Sequence, residues 1–203
     1  MAIQSRTKRI SATSLHLRSA FPYIAVGVAI VAVTALILLL MGRTPLCTCG
    51  TIRLWVNDAS GPENSQQIAD WYTLSHIIHG FLLYGVLWAI MGKKSLALRA
   101  VVAVLLEATW EILENSPLVI DRYRSATVSL HYVGDSILNS TSDILFMLPG
   151  FFLAALLPVW ISISLIVAME LLALSVIRDN LALNILMLLY PVEAIRQWQA
   201  GIS

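Results

Sequence analysis

Residues 21–41 (FPYIAVGVAIVAVTALILLLM) carry no charged side chain. As a helix rising about 1.5 Å per residue, such a run covers about 30 Å, the hydrocarbon thickness of a bilayer. Further apolar stretches follow at 73–91, 96–114, 135–157 and 159–177. Inside hydrocarbon each backbone N–H and C=O has to be satisfied within the chain, so these stretches fold as helices. Composition agrees: 203 residues, 58% hydrophobic and only 12% charged, with mean hydropathy +0.79. A soluble domain has about a quarter charged residues. The expected fold is all-α, a polytopic membrane helical bundle of five transmembrane helices plus a C-terminal amphipathic or re-entrant helix. A signal peptide would have a shorter apolar region, roughly 7–15 residues, then a small-x-small cleavage site. Gly42-Arg43-Thr44-Pro45 follows instead, so 21–41 reads as a retained anchor.

The chain divides into a basic N-terminus (1–20), a single transmembrane domain (21–177) and a C-terminal segment (178–203). The last contains LALNILMLLYP, too short an apolar run to cross alone, then the amphipathic EAIRQWQ. Residues 42–72 read as a loop with turn signals; Asn115-Ser116-Pro117 reads as the stop of the 96–114 stretch, and 116–134 as a polar loop carrying Asp121, Arg122, Arg124 and His131. Four bases (Arg6, Lys8, Arg9 and Arg18) mark the N-terminus, and Lys93, Lys94 and Arg99 mark the 92–99 region. The positive-inside rule then puts the N-terminus in the cytoplasm of a bacterial inner membrane and both longer loops outside. A formal net charge of +1 gives no field that points to nucleic acid.

Half of the twelve acidic residues lie in the apolar stretches: Glu107, Glu111, Glu114, Asp135, Asp143 and Glu170. A carboxyl group in hydrocarbon is costly and persists where it faces a polar interior. Spacing supports a shared interior. His76 and His79 are three apart, and Glu107, Glu111 and Glu114 form one helical stripe. Asp135, Asn139 and Asp143, each four apart, form another. With the alternating span directions all three sets come to one leaflet, and flipping the protein moves them together.

Like charges packed in low dielectric cannot all be ionised. Either several carboxyls are protonated or a cation is present. Imidazoles with carboxylates suit a divalent ion such as Zn, Mn or Fe, with His76, His79, Glu111 and Asp135 as candidate ligands. Glu plus His from facing helices is how di-metal bundles are built, although their Glu-x-x-His pair is missing here. Proton relay or general acid–base work by Glu107, Glu111, Asp143 and Asn139 is the competing chemistry. Plainer accounts stand beside both. The histidines could be hydrogen-bonded between helices, and the glutamates could act as polar glue. Glu114 and Asp135 could be solvated, with Asp135 as a helix cap. Arg122 and Arg124 could dock a substrate phosphate or carboxylate, or simply be solvated. For Cys47 and Cys49, a disulfide, a metal contact or idle thiols all remain open.

The segments H76-IIHGF, E107-ATWEILEN, G134-DSILNSTSD and IRDNLALNILMLLYP resemble an uncharacterised family of bacterial inner-membrane proteins. More distantly the pattern is similar to VanZ-like membrane proteins, which place a histidine, a glutamate and an Asp-x-x-x-Asn on successive spans. His76 or His79, Glu107 or Glu111, and Asp135 with Asn139 match those positions, whereas Asp143 and the loop 42–72 depart from the pattern. The resemblance implies the fold and a shared site but no settled activity. The function expected is a small cell-envelope membrane enzyme acting on a lipid or lipid-linked substrate, able to self-associate. A proton- or cation-coupled transporter and a non-catalytic accessory subunit are the alternatives.

Overall fold

The structure, a computed structural model, describes residues 2–127 and 132–201, with side chains from residue 20 onward. His131 and the side chains of Arg6, Lys8, Arg9 and Arg18, counted above, lie outside these. The described residues form eight helices and no strand. They are α1 (Ala2–Leu40), α2 (Thr73–Met91), α3 (Leu96–Glu114), α4 (Pro117–Ala126), α5 (Ile137–Leu156), α6 (Val159–Ile177), α7 (Leu181–Leu189) and α8 (Glu193–Gln199). Among them four stretches are long and apolar enough to cross a membrane: Ala20–Leu40, α2, α5 and α6. Helix α3 has the same length as α2 but carries Arg99, Glu107, Glu111 and Glu114. Much apolar surface is exposed, including Trp160 and Leu156. A soluble monomer rarely shows so much, and surface of this kind marks contact with a membrane or another protein.

Local chemistry sets the helix ends. The side chains of Ser95, Ser116, Ser136 and Asn180 each accept from the N–H three residues on, capping α3, α4, α5 and α7. The loop expected at 116–134 holds a helix in its first part. Ser116-Pro117, read as a stop, also starts α4, because proline at the first helical position loses no hydrogen bond. The tail is two short helices rather than one, broken at Tyr190-Pro191.

Helices α2 and α5 cross with their backbones nearly in contact. A Cβ on Gly80 would overlap Met147 O, and one on Gly150 would overlap Ile77 O. Beside this crossing Leu87, Ala103, Ala108, Ile144, Met147 and Phe151 form the apolar core, and Tyr84 meets Phe151 edge to face at 5.4 Å. Helix α1 lies against α3 and α5, α6 against α2, and α7 against α4. Arg99, on the core side of α3, is buried with its guanidinium 5.3 Å from the Tyr84 ring centre. The polar residues gather at the opposite end, beneath the 42–72 loop and α4.

Candidate functional site

Two imidazoles from α2 converge on one carboxylate of α3. His76 Nδ1 lies 2.7 Å from Glu107 Oε1 and His79 Nδ1 lies 2.9 Å from the same oxygen. The i, i+3 spacing makes this possible, since both rings leave one face of α2. His76 Nδ1 is also 3.4 Å from Glu111 Oε1, and its Nε2 is 3.8 Å from Asp143 Oδ2 of α5. Glu107 is 2% exposed and Glu111 1%.

Glu111 differs from its neighbours: neither carboxylate oxygen has a hydrogen-bond partner among the described residues. A buried carboxylate in that condition is expensive unless something compensates it. Glu107 has two imidazoles. Asp143 Oδ1 accepts from Thr73 Oγ1 at 3.1 Å, and Glu114 Oε1 accepts from Tyr123 OH at 3.0 Å. One ligand atom from each of His76, His79 and Glu107 falls within 4.8 Å of the others, and the same holds for His76, Glu111 and Glu114. His76 belongs to both sets, so these residues could hold a metal ion.

Asp135 and Asn139 line the same space but are engaged otherwise. Asp135 accepts from Asn115 Nδ2 at 2.9 Å and Tyr132 OH at 2.8 Å, and its own N–H donates to Asn115 Oδ1 at 2.7 Å. It stands just before α5, and Ser136, not Asp135, caps the helix. Asn139 Nδ2 donates to Gln67 O at 2.9 Å. Arg122 Nε donates to Leu188 O at 2.7 Å and Arg124 Nε to Tyr132 O at 2.6 Å. Glu170 is remote from the cluster: its two oxygens accept from Leu181 N and Ala182 N, both at 3.0 Å, and so hold the start of α7. Cys47 and Cys49 are joined as a disulfide.

The sequence reading missed the loop as part of the site. Ser65, Gln66, Gln67 and Asp70 are buried. Ser136 N donates to Ser65 O at 2.9 Å, Ser136 Oγ to Gln66 O at 3.0 Å, and Gln66 Nε2 to Gly134 O at 2.9 Å. The segment is thereby pinned across the start of α5. Asp70 accepts from Ser65 N and Tyr72 N, and its N–H donates to Thr73 Oγ1, the hydroxyl that reaches Asp143. Burial pushes the Asp70 carboxyl above its ordinary range, with those backbone N–H groups pulling the other way. Burial likewise pushes the Tyr132 and Tyr123 phenols well up, with Asp135 and Glu114 respectively adding to it. Both hydroxyls therefore stay protonated donors. Asn115 was legible in principle, since it stands four residues beyond Glu111 on the same stripe.

Two cavities open onto the cluster. One of about 40 Å³ runs from Asn64 and Ser65 to His76, Asn139 and Asp143. The other, of about 250 Å³, lies between α2, α3, α4 and α7.

Residues 38–201 match the family described as "Protein of unknown function (DUF2585)". The chain belongs to this family. It is 51% identical over 193 residues to a UPF0314 protein of Paracoccus denitrificans, covering 95% of this chain and 100% of that one. With a UPF0314 protein of Sphingopyxis alaskensis it shares 54% identity over 176 residues, 87% of this chain and 94% of the other. The UPF0314 protein of Novosphingobium aromaticivorans is 55% identical over 181 residues, 87% and 89% of the two chains. No solved structure matches the chain. The chain is thus a member of a bacterial family of unknown function, has four helices apolar enough to cross a membrane, and gathers a His/Glu cluster between α2 and α3.

Proposed function

We propose that this DUF2585 protein is a multi-pass inner-membrane enzyme of the cell envelope whose His76–Glu111–Glu114 set, beside His79 and Glu107, binds one divalent ion, Zn, Mn or Fe. Helix α3 is the fifth span in this reading, because its glutamates are buried inside the bundle rather than exposed to lipid. The N-terminus is cytoplasmic and the site opens to the outer leaflet in this reading, which the bases at 92–99 support. The substrate is a lipid or lipid-linked molecule.

The observation that carries the reading is Glu111, fully buried, with no hydrogen-bond partner among the described residues and its Oε1 3.4 Å from His76 Nδ1. A cation beside it would balance the carboxyls and give both oxygens a role. With Glu111, His76 and Glu114 supply the nitrogen and oxygen donors such an ion takes, and His79 and Glu107 adjoin them through the shared His76. Asp143 faces the other nitrogen of His76, the position from which a carboxylate orients a metal-bound imidazole. A bound ion would polarise a substrate oxygen or activate water, with Glu111 as ligand or general base.

Elemental analysis of protein purified without chelator tests this. About one ion per chain is expected from a single site, lost in His76→Ala and in Glu111→Ala. Wild-type protein that neither carries nor takes up Zn, Mn or Fe would sink the metal reading.

One observation favours a second account. Glu107, His76, Asp143 and Thr73 form a string of exchangeable groups between α3 and the loop, the arrangement a proton relay uses. A pH-dependent flux in vesicles that Glu107→Gln abolishes, in metal-free protein, would favour a proton- or cation-coupled transporter.

A further inference from the structure

The larger cavity has two unlike ends. Towards α2 and α3 it meets His76, His79 and Glu114; towards α7 it meets Leu181, Ile185 and Leu188. Its wall on that side is α7 alone, nine residues long. At 1.5 Å per residue that is about 14 Å, too short to span a bilayer. The far face of α7, with Leu186 and Leu189, is exposed. In a membrane a single short helix therefore separates the cavity from lipid. It is pinned at both ends by polar contacts, Glu170 at its first N–H groups and Arg122 at Leu188 O.

The polar end is rich in acceptors. Glu114 stands in the wall, and the buried Asn184 Oδ1 beside it has no hydrogen-bond partner among the described residues while its Nδ2 donates to Asp179 at 3.3 Å. Among the described residues that line the cavity there is no Lys or Arg. Arg122 and Arg124, the candidates for a phosphate, each direct Nε to a backbone carbonyl. A phosphate placed here would face the Glu114 carboxyl in the wall, with Glu107 just behind His76 and His79. Such a site rejects an anion by repulsion and leaves acceptors unmet unless the head group brings donors. Trp110 and Tyr123 in the wall supply flat apolar faces for the carbon side of a polyol. A volume of about 250 Å³ is just under the ~300–1,000 Å³ of ordinary small-molecule sites, so it fits a head group and the first carbons of one chain.

We infer that the cavity between α2, α3 and α7 is a lateral binding site for a single-chain amphiphile with an uncharged, hydroxyl-bearing head, whose tail passes α7 into the bilayer. The inference deepens the lipid-enzyme reading of the same site and rests on it for the membrane setting. The polar head sits between His79, Glu114 and Asn184, and the chain lies along Ile185 and Leu188.

The test is photo-crosslinking of the purified full chain with a photoactivatable monoacylglycerol and with the matching lysophosphatidic acid, mapped by peptide mass spectrometry. The monoacylglycerol is expected to label α2 and α7 peptides at least about tenfold more efficiently than the lysophosphatidic acid, an energy gap of about 1.4 kcal/mol. Leu188→Trp fills the cavity and abolishes that labelling, and Ile185→Trp serves if the first variant fails to fold. Equal or stronger labelling by the phosphate probe overturns the proposal, as does no labelling, or labelling that both tryptophan variants leave intact. Metal content of the same samples keeps the readings apart. Labelled protein without metal removes the metal centre alone, and metal-loaded protein without label removes the lipid cavity alone.

Discussion

Gly80 and Gly150 face each other where α2 crosses α5, each so close to the other helix that a Cβ on either would strike a carbonyl oxygen. The contact fixes how near the two backbones lie, and His76 and Asp143 stand about one and two turns from it on the same helices. Their 3.8 Å approach depends on that spacing. Gly80→Ala and Gly150→Ala should each cost about 1–3 kcal/mol or more through overpacking and lower the thermal midpoint in detergent. Gly85→Ala, where a Cβ meets nothing within 4 Å, is the control. It should be neutral or stabilising by up to about 1 kcal/mol. Equal effects at Gly80 and Gly85 would mean the crossing is not tight.

Asn115 is 0% exposed and bonds Asp135 through both its amide nitrogen and its carbonyl oxygen. Asn115→Ala strands the Asp135 N–H and one carboxylate oxygen in the interior. At about 1–3 kcal/mol per abandoned group, a loss of about 2–5 kcal/mol is expected in chemical unfolding. A loss under about 1 kcal/mol, the size of one ordinary hydrogen bond, would show that water replaces the amide.

Glu170→Ala removes the carboxylate that receives the first two N–H groups of α7. A lost helix cap costs about 0.5–2 kcal/mol. Because α7 packs mainly on α4, the damage should stay local. Hydrogen exchange at 181–189 should quicken while that of α2 and α3 is unchanged. Faster exchange throughout the bundle would contradict a purely local cap.

Asp179, beyond the end of α6, has its pKa raised from 3.8 to about 6 by burial, against opposing hydrogen bonds led by that from Asn180 N. The folded chain therefore holds this proton more tightly than the unfolded one. Its ionisation opposes folding fully above about pH 6, and the penalty fades as pH falls from about 6 towards 3.8. The ceiling is about 3 kcal/mol at 1.4 kcal/mol per pKa unit. Relative to wild type, Asp179→Asn should gain midpoint temperature at pH 7.5 and lose that gain at pH 4. Parallel curves for the two proteins would refute the assignment.

Much of the cluster was legible because helical spacing is a local code. His76 with His79, and Glu107 with Glu111, declare a shared face within a few residues, and an acid in an apolar stretch announces an interior. The loop was not legible, because Ser65, Gln66 and Gln67 meet Gly134, Ser136 and Asn139 about seventy residues away. Neither periodicity nor polarity marks such partners, and a buried glutamine in a turn-rich segment looks like a solvated one. Ser116-Pro117 failed for another reason: the same pair can end one helix and begin the next. Glu170 shows the limit of reading acids by depth alone, since its carboxylate serves a helix terminus.

The seventy-residue gap between the loop and the start of α5 has a consequence for biogenesis. A ribosome adding roughly 5–20 residues per second delivers Ser65–Asp70 and the two imidazoles several seconds before Ser136 and Asn139 emerge. In the latter part of that interval the nascent chain holds His76, Glu107 and Glu111 together without the helix that closes over them. An insertase or chaperone shielding the half-built protein would have its task end when α5 docks, and a chain truncated before residue 136 would present the membrane proteases with an unfinished product.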